Sequence, residues 1–275
     1  MSTLKNKTIF ITGSSRGIGR EIALRCARDG ANVVITGKTA QPHPKLPGTI
    51  HTVAEEVRLA GGCALALQLD VRDEQAIAAA VAQTVEHFGS LDVLINNASA
   101  ISLTPTLQTS AKRLDLMWGV NMRATFLAAQ ACIPHLKKAA NPHILTLSPP
   151  LNLDAKWFAP HVAYTLSKYG MSLCMLGMAH EFAAAAIACN CLWPRTTIAT
   201  SAIENNFPEA ILRASRKPAI VADAARSILL RDSKACSGNF FIDEEVLRAE
   251  GVSDFERYAV SPGTRLFDDL FLGKH

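Results

Sequence analysis

Short β-branched runs alternate with helical stretches along almost the whole chain, and this rhythm admits few folds. Residues 8–12 (TIFIT) read as a strand that runs straight into glycines, and residues 18–29 have helical periodicity ending at Gly30. Further strands are expected over 31–36 (ANVVIT), 63–70, 91–96 (LDVLIN), 143–148 (HILTLS), 188–193 and 238–243 (GNFFID). Helical patterns fill 73–87, closing at Gly89; 110–138, where Pro134 closes or bends the helix; and 162–186. Consecutive parallel strands need a crossover, and a helix is the usual one. The expected architecture is therefore α/β: a doubly wound, seven-stranded, mostly parallel sheet with helices on both faces.

Two segments break the rhythm. Residues 40–49 (AQPHPKLPGT) hold three prolines and must form a loop, and residues 192–218 hold three more with only weak helical signal. Each follows a strand, and in such sheets ligands bind beyond the carboxyl ends of strands. Both loops are therefore expected on the ligand edge.

Length and composition bound the reading. The 275 residues suit one large domain, 1–275, with a dinucleotide site in its N-terminal half and substrate loops in its C-terminal half. Hydrophobic residues make up 49% and charged residues 19%, which suits a buried core and not disorder. The net charge of +4 is scattered, so nothing points to nucleic acid. The seven cysteines lack zinc-site spacing, so no metal is expected and they read as reduced core residues. With no signal-peptide core and no apolar run of membrane-spanning length, the expected location is the cytoplasm. The ending Gly-Lys-His also differs from a peroxisomal Ser-Lys-Leu signal.

Two motifs carry chemistry. The first is the turn Thr12-Gly13-Ser14-Ser15-Arg16-Gly17-Ile18-Gly19, set between a strand and a helix. Glycines let backbone approach a pyrophosphate, and the helix start offers free N–H groups and a positive dipole end. Strand two ends Thr36-Gly37-Lys38-Thr39, without the carboxylate that would bind a ribose 2′-hydroxyl. Lys38, with Arg16, would attract a 2′-phosphate instead, so the expected cofactor is NADP(H). The second motif is Tyr164-Thr165-Leu166-Ser167-Lys168. Four residues apart on a helix, Tyr164 and Lys168 share a face. A nearby ammonium favours phenolate, so Tyr164 could pass a proton to a carbonyl oxygen or take one from an alcohol. Trp157, Phe158, Trp193 and Phe207 fall in the loops around this point and suggest an apolar substrate pocket or a subunit contact; His161 could line its mouth or simply start the helix.

With these residues in place, the chain resembles a Rossmann-type short-chain dehydrogenase/reductase over essentially its whole length. The matching residues are Thr12–Gly19, Asp70-Val71, Asn96-Asn97-Ala98-Ser99, Asn121, Tyr164/Lys168 and Pro194. The resemblance implies that Gly13, Ser15, Arg16, Gly17, Ile18 and Gly19 line the cofactor and that Asp70 and Val71 contact adenine. It further implies that Asn97 and Ala98 lie over the cofactor, that Lys168 holds the nicotinamide ribose, and that Pro194 and Thr197 meet the nicotinamide amide. Asn121 would kink its helix and support a proton relay to Lys168. The loop AQPHPKLPGT and the runs NNASAISLT, SPPLNL and AYTLSKYGMS are more narrowly similar to hydroxysteroid dehydrogenase-like proteins, here expected without their sterol-carrier domain. A homodimer or homotetramer is implied, as is a small-molecule carbonyl/alcohol substrate.

Two positions depart from the family pattern. Its substrate-polarising serine normally lies thirteen residues before the tyrosine, where this chain has Leu151; Ser148, sixteen before, either reaches the site or merely ends its strand. Pro194-Arg195 also stands where Pro-Gly is common. The rival expectation is a non-catalytic NADP(H) sensor or interaction protein on the same fold.

Overall fold

The computed structural model describes residues 3–42 and 47–272, and side chains at 202, 205 and 206 fall outside the description. Part of the proline-rich loop, residues 43–46, therefore lies outside the described residues. Seven strands are present: β1 (Thr8–Ile11), β2 (Asn32–Gly37), β3 (Cys63–Gln68), β4 (Val93–Asn96), β5 (His143–Thr146), β6 (Ala188–Trp193) and β7 (Phe240–Ile242). They form one sheet in the order β3-β2-β1-β4-β5-β6-β7. Every pairing is parallel, so the sheet is more uniform than the mostly parallel one expected. The order reverses direction between β1 and β4, which opens a crevice at the strand ends.

Alternation along the strands builds two cores. Ile9, Ile11, Val33, Ile35, Val93 and Ile95 face one side, under α1 (Gly17–Ala27), α2 (Ile50–Leu59) and α9 (Ala219–Leu229). Phe10, Val34, Leu94 and Ile144 face the other, under α3 (Glu74–Phe88), α5 (Ala124–Leu136) and α6 (Val162–Glu181). Strands buried on both faces need near-continuous apolar runs, which explains why TIFI and NVVI carry no polar alternation.

The expected helix over 110–138 is two helices, α4 (Ala111–Met117) and α5, joined by a wide π-helical stretch at Trp118–Arg123. Pro134 sits in the last turns of α5, which ends at Leu136. The 192–218 segment holds two short helices, α7 (Ser201–Asn206) and α8 (Glu209–Arg213). Three helices exceed the sequence expectation: α2, α9 and α10 (Asp243–Ala249). The start of α2 is set by a reciprocal Thr49/Thr52 capping box at the edge of the proline loop, an unusual variant of the Ser/Thr-to-Glu signature.

Candidate active site

The glycine turn leaves β1 through Gly13 (φ +66°) and enters α1 at Gly17 (φ +57°), a left-handed geometry that side chains resist. Gly19 is needed for a different reason. A Cβ there would stand 2.4 Å from Asn97 Nδ2 and 2.8 Å from the Gly13 carbonyl. That crowding reflects tight stitching between the turns after β1 and β4. Asn97 Nδ2 donates to the carbonyls of Thr12 and Gly13, both at 2.9 Å. The Thr12 hydroxyl accepts from the amides of Asn97 (2.9 Å) and Ala98 (3.0 Å).

These turns wall a cavity of about 420 Å³ that meets Gly13, Arg16, Gly17, Ile18, Asn97 and Ala98. Ser15 and Gly19 are not among its lining: both are buried just behind it, and a Cβ at Gly37 would meet Ser15 Oγ at 3.2 Å. Lys38, Asp70 and Val71 line its far end. Lys38 is largely exposed, with Nζ 3.5 Å from Asp70. Arg72, which sequence reasoning missed, also lines this end and grips Asp70 at 2.5 Å. Its hydrogen bonds, with Lys38 nearby, hold the Asp70 carboxyl far below the usual carboxylate range. Arg16 donates to Thr39 Oγ1 (2.9 Å) and the Pro47 carbonyl (3.1 Å), so it braces the loop after β2 as well as facing the cavity. The only sequence signal for Arg72 was a base two residues after the aspartate.

A second cavity of about 230 Å³ adjoins the first and shares Ile18, Asn97, Ser99 and Thr200 with it. Tyr164, Lys168, Pro194 and Thr197 line it, amid Ile101, Leu103, Trp193 and Phe207. Trp157 and Phe158 lie outside the lining; they pack on Phe271 and Tyr169 respectively. His161 is also behind the wall, bonded to Thr165 Oγ1 at 3.0 Å.

Tyr164 and Lys168 are both buried in α6. Lys168 Nζ donates to the Leu147 carbonyl at 2.6 Å and lies 5.1 Å from the Trp193 ring. Burial pulls the Lys168 ammonium down to about 7. Burial, with Asp269 nearby, pushes the Tyr164 phenol up. Desolvation dominates at Tyr164, while the Lys168 ammonium donates to the Leu147 carbonyl.

Asn121 sits fully buried in the π-helical stretch. Its amide bridges Ala100 N (2.8 Å), Ala100 O (2.9 Å) and Ser167 Oγ (2.9 Å), tying the loop after β4 to α6. Ser148 is different. It is fully buried, donates to Cys191 Sγ at 3.2 Å and does not line the cavity. It lies two residues past the end of β5, with its hydroxyl turned to β6. Leu151 packs into the apolar cluster around Tyr164 and Tyr169.

The largest omission of sequence reasoning is the C-terminal tail. Phe267, Asp268, Asp269 and Leu270 all line the second cavity. Phe271 is wholly buried among the rings of Trp157, His161, Tyr164, Tyr169 and Trp193, despite a left-handed φ of +72°. Its only sequence signal was an apolar, aromatic ending, Leu266-Phe267 and Leu270-Phe271-Leu272, after a turn.

A glycine turn at a sheet switch point, with a buried Tyr-x-x-x-Lys helix beside it, defines the short-chain dehydrogenase class. The chain belongs to that family, matching it over residues 7–210. It is 57% identical over 265 residues to hydroxysteroid dehydrogenase-like protein 2 of Danio rerio, covering 96% of this chain and 63% of that one. The chain thus spans less than two thirds of that relative's length. A crystal structure of an inferred dehydrogenase from Xanthomonas campestris superposes with a TM-score of 0.97 at 55% identity, covering 99% of this chain and all of that one. A short chain dehydrogenase from Mycobacterium thermoresistibile gives 0.93 at 52% identity, over 98% of this chain and 96% of that one. Among the described residues no helix is long and apolar enough to cross a membrane.

Proposed function

We propose that the chain is an NADP(H)-dependent oxidoreductase that interconverts an alcohol and a carbonyl on an apolar small molecule. The observation that carries this is the joining of two cavities, one ending at Lys38, Arg16 and Arg72, the other at Tyr164 and Lys168. The first fits a phosphate-bearing dinucleotide: its glycine wall excludes a Cβ, and no carboxylate ends β2. A bound nicotinamide cofactor would supply or accept the hydride. Gly13, Ser15, Arg16, Gly17, Ile18 and Gly19 would form the pyrophosphate turn, Lys38 with Arg16 would meet the 2′-phosphate, and Asp70 and Val71 would border adenine. Asn97 and Ala98 would cover the cofactor, and Pro194 and Thr197 would meet its amide.

Tyr164 gives a proton to the carbonyl oxygen in reduction and takes one from the alcohol in oxidation. Lys168 adjusts the charge beside it and reaches the ribose hydroxyls. Asn121 holds the relay in register, and Ser148, turned to Cys191, has no polarising role in this reading. Leu114, Trp118, Phe126, Leu166 and Leu173 on α4–α6 are partly exposed, which supports a homodimer or homotetramer. The relatives' name makes hydroxysteroids a first substrate class to try, and the location we propose is the cytoplasm.

Tyr164→Phe is expected to lower turnover by about 10²–10⁴-fold on a ketosteroid and carbonyl panel, with NADPH affinity within about twofold. Retained turnover would refute the assignment. The diversion of Ser148 favours one second reading, a non-catalytic NADP(H) sensor, which would bind NADPH and turn over nothing.

A further inference from the structure

We propose that Asp269 makes the substrate cavity selective for neutral or cationic molecules that offer a hydrogen-bond donor, and closed to carboxylates. This rests on reading that cavity as the substrate site.

The charge inventory of the cavity is one-sided. Its lining contains two carboxyl groups, Asp268 and Asp269, and a single cation, Lys168. That cation already donates to the Leu147 carbonyl at 2.6 Å. Arg195, beside the lining residue Pro194, turns its guanidinium to Glu245, and Arg265, four residues before Asp269, is exposed and outside the lining. Among the described residues no cation lies within ion-pair reach of Asp269, whose Oδ1 accepts only the Leu270 amide at 2.7 Å. An apolar carboxylate entering beside Tyr164 would thus meet like charge with no free base to answer it, whereas a hydroxyl or ammonium would find an acceptor.

The tail cannot easily swing this group away. The Asp269 amide donates to the Arg195 carbonyl at 3.1 Å, the Thr197 amide to the Phe267 carbonyl at 3.0 Å, and Trp193 Nε1 to the Leu270 carbonyl at 2.9 Å. Phe271 anchors the end in its cluster of rings. The charged and titratable groups around Asp269 are Tyr164 and Lys168 on α6, Asp243 at the start of α10, and Asp268 beside it. Desolvation pushes the Asp269 carboxyl up to about 7, and the titration is set at pH 8 to favour its ionised form.

The test is calorimetric titration of the full chain at pH 8, with NADPH present, using three matched probes: para-butylbenzyl alcohol, para-butylbenzylamine and para-butylbenzoate. The benzoate is expected to bind at least about tenfold more weakly than the other two. In Asp269→Asn, or Asp269→Ser if the first variant folds poorly, the gap should shrink to within about threefold. Benzoate binding as tight as the alcohol, a gap unchanged in a folded variant, or binding of none of the three would overturn the proposal. NADPH binding is measured first in the same cell. A chain that fails to bind the cofactor fails the oxidoreductase reading, while the charge series still decides the role of Asp269.

Discussion

The two cavities of this chain are built by opposite means. The first cavity is framed by strand ends and two turns close to them in sequence, locked by the backbone of Gly13, Gly17 and Gly19 and by two short side chains, the Asn97 amide and the Thr12 hydroxyl. The second cavity is assembled from distant pieces, the loops after β4 and β6, one face of α6, and a tail about a hundred residues beyond Tyr164 that is held by the buried Phe271 ring and by hydrogen bonds to Trp193, Arg195 and Thr197. The first is shaped mostly by close approach of backbone at its glycines, the second mostly by side chains. A shared ligand part can be held by backbone rules, while a particular substrate is selected by side chains brought from several elements.

Substitutions at the two ends should therefore fail differently. The largest effect is expected at Gly19. A valine there must displace Asn97 or the Gly13 carbonyl, so NADPH binding should fall by a hundredfold or more. An unchanged affinity by titration would show that the two turns are not interlocked. Phe271→Ala comes next. Emptying a fully buried aromatic site costs about 3–5 kcal/mol where the surroundings cannot collapse. Here the cost should appear locally, as a tail open to limited proteolysis and a substrate KM raised severalfold, with NADPH affinity nearly unchanged. Equal damage to cofactor binding would break the distinction between the two ends.

A third, smaller effect concerns the frame that both ends share. His143 starts β5, away from both cavities, and is buried with Nε2 3.1 Å from the Arg231 carbonyl. Burial pulls its pKa down to about 4, below the unfolded value of 6.5. The unfolded chain then takes up the proton first, so stability is fully present above about pH 6.5 and is lost as pH falls towards 4. The loss amounts to about 3 kcal/mol at most. Thermal melts between pH 7 and 4 should show a falling Tm that His143→Gln flattens, and both cavities should be lost at one midpoint. Separate midpoints would mean that the two ends unfold independently.

The same contrast decides what could be read in the sequence. The strands were legible because burial on both faces forces uninterrupted runs such as TIFI and VLIN. Gly13, Gly17 and Tyr164/Lys168 were legible because each answers a local constraint of backbone or helix spacing, whereas Asn97 and Asn121 came only with the family resemblance. Helices α2 and α9 were not legible: one begins at the edge of a proline loop with a threonine capping box, and the other follows Pro218 in a segment without strong punctuation. Ser148 looked available because the sequence places it at the end of an expected strand over 143–148; β5 stops at Thr146, and the Ser148 hydroxyl donates to Cys191 on the neighbouring strand, a contact no spacing rule contains. Asp269 and Phe271 were invisible for the same reason, since only the folded path of the tail brings them to Tyr164.

The central claim is that the first cavity reads a 2′-phosphate and so serves an NADP(H)-dependent reaction. Fluorescence titration of the full chain with NADPH and NADH, repeated on Lys38→Ala, tests it most directly. The account expects NADPH to bind at least about tenfold more tightly than NADH, a difference of about 1.4 kcal/mol, with most of that preference lost in Lys38→Ala. Equal or tighter binding of NADH by the unmodified chain would contradict it.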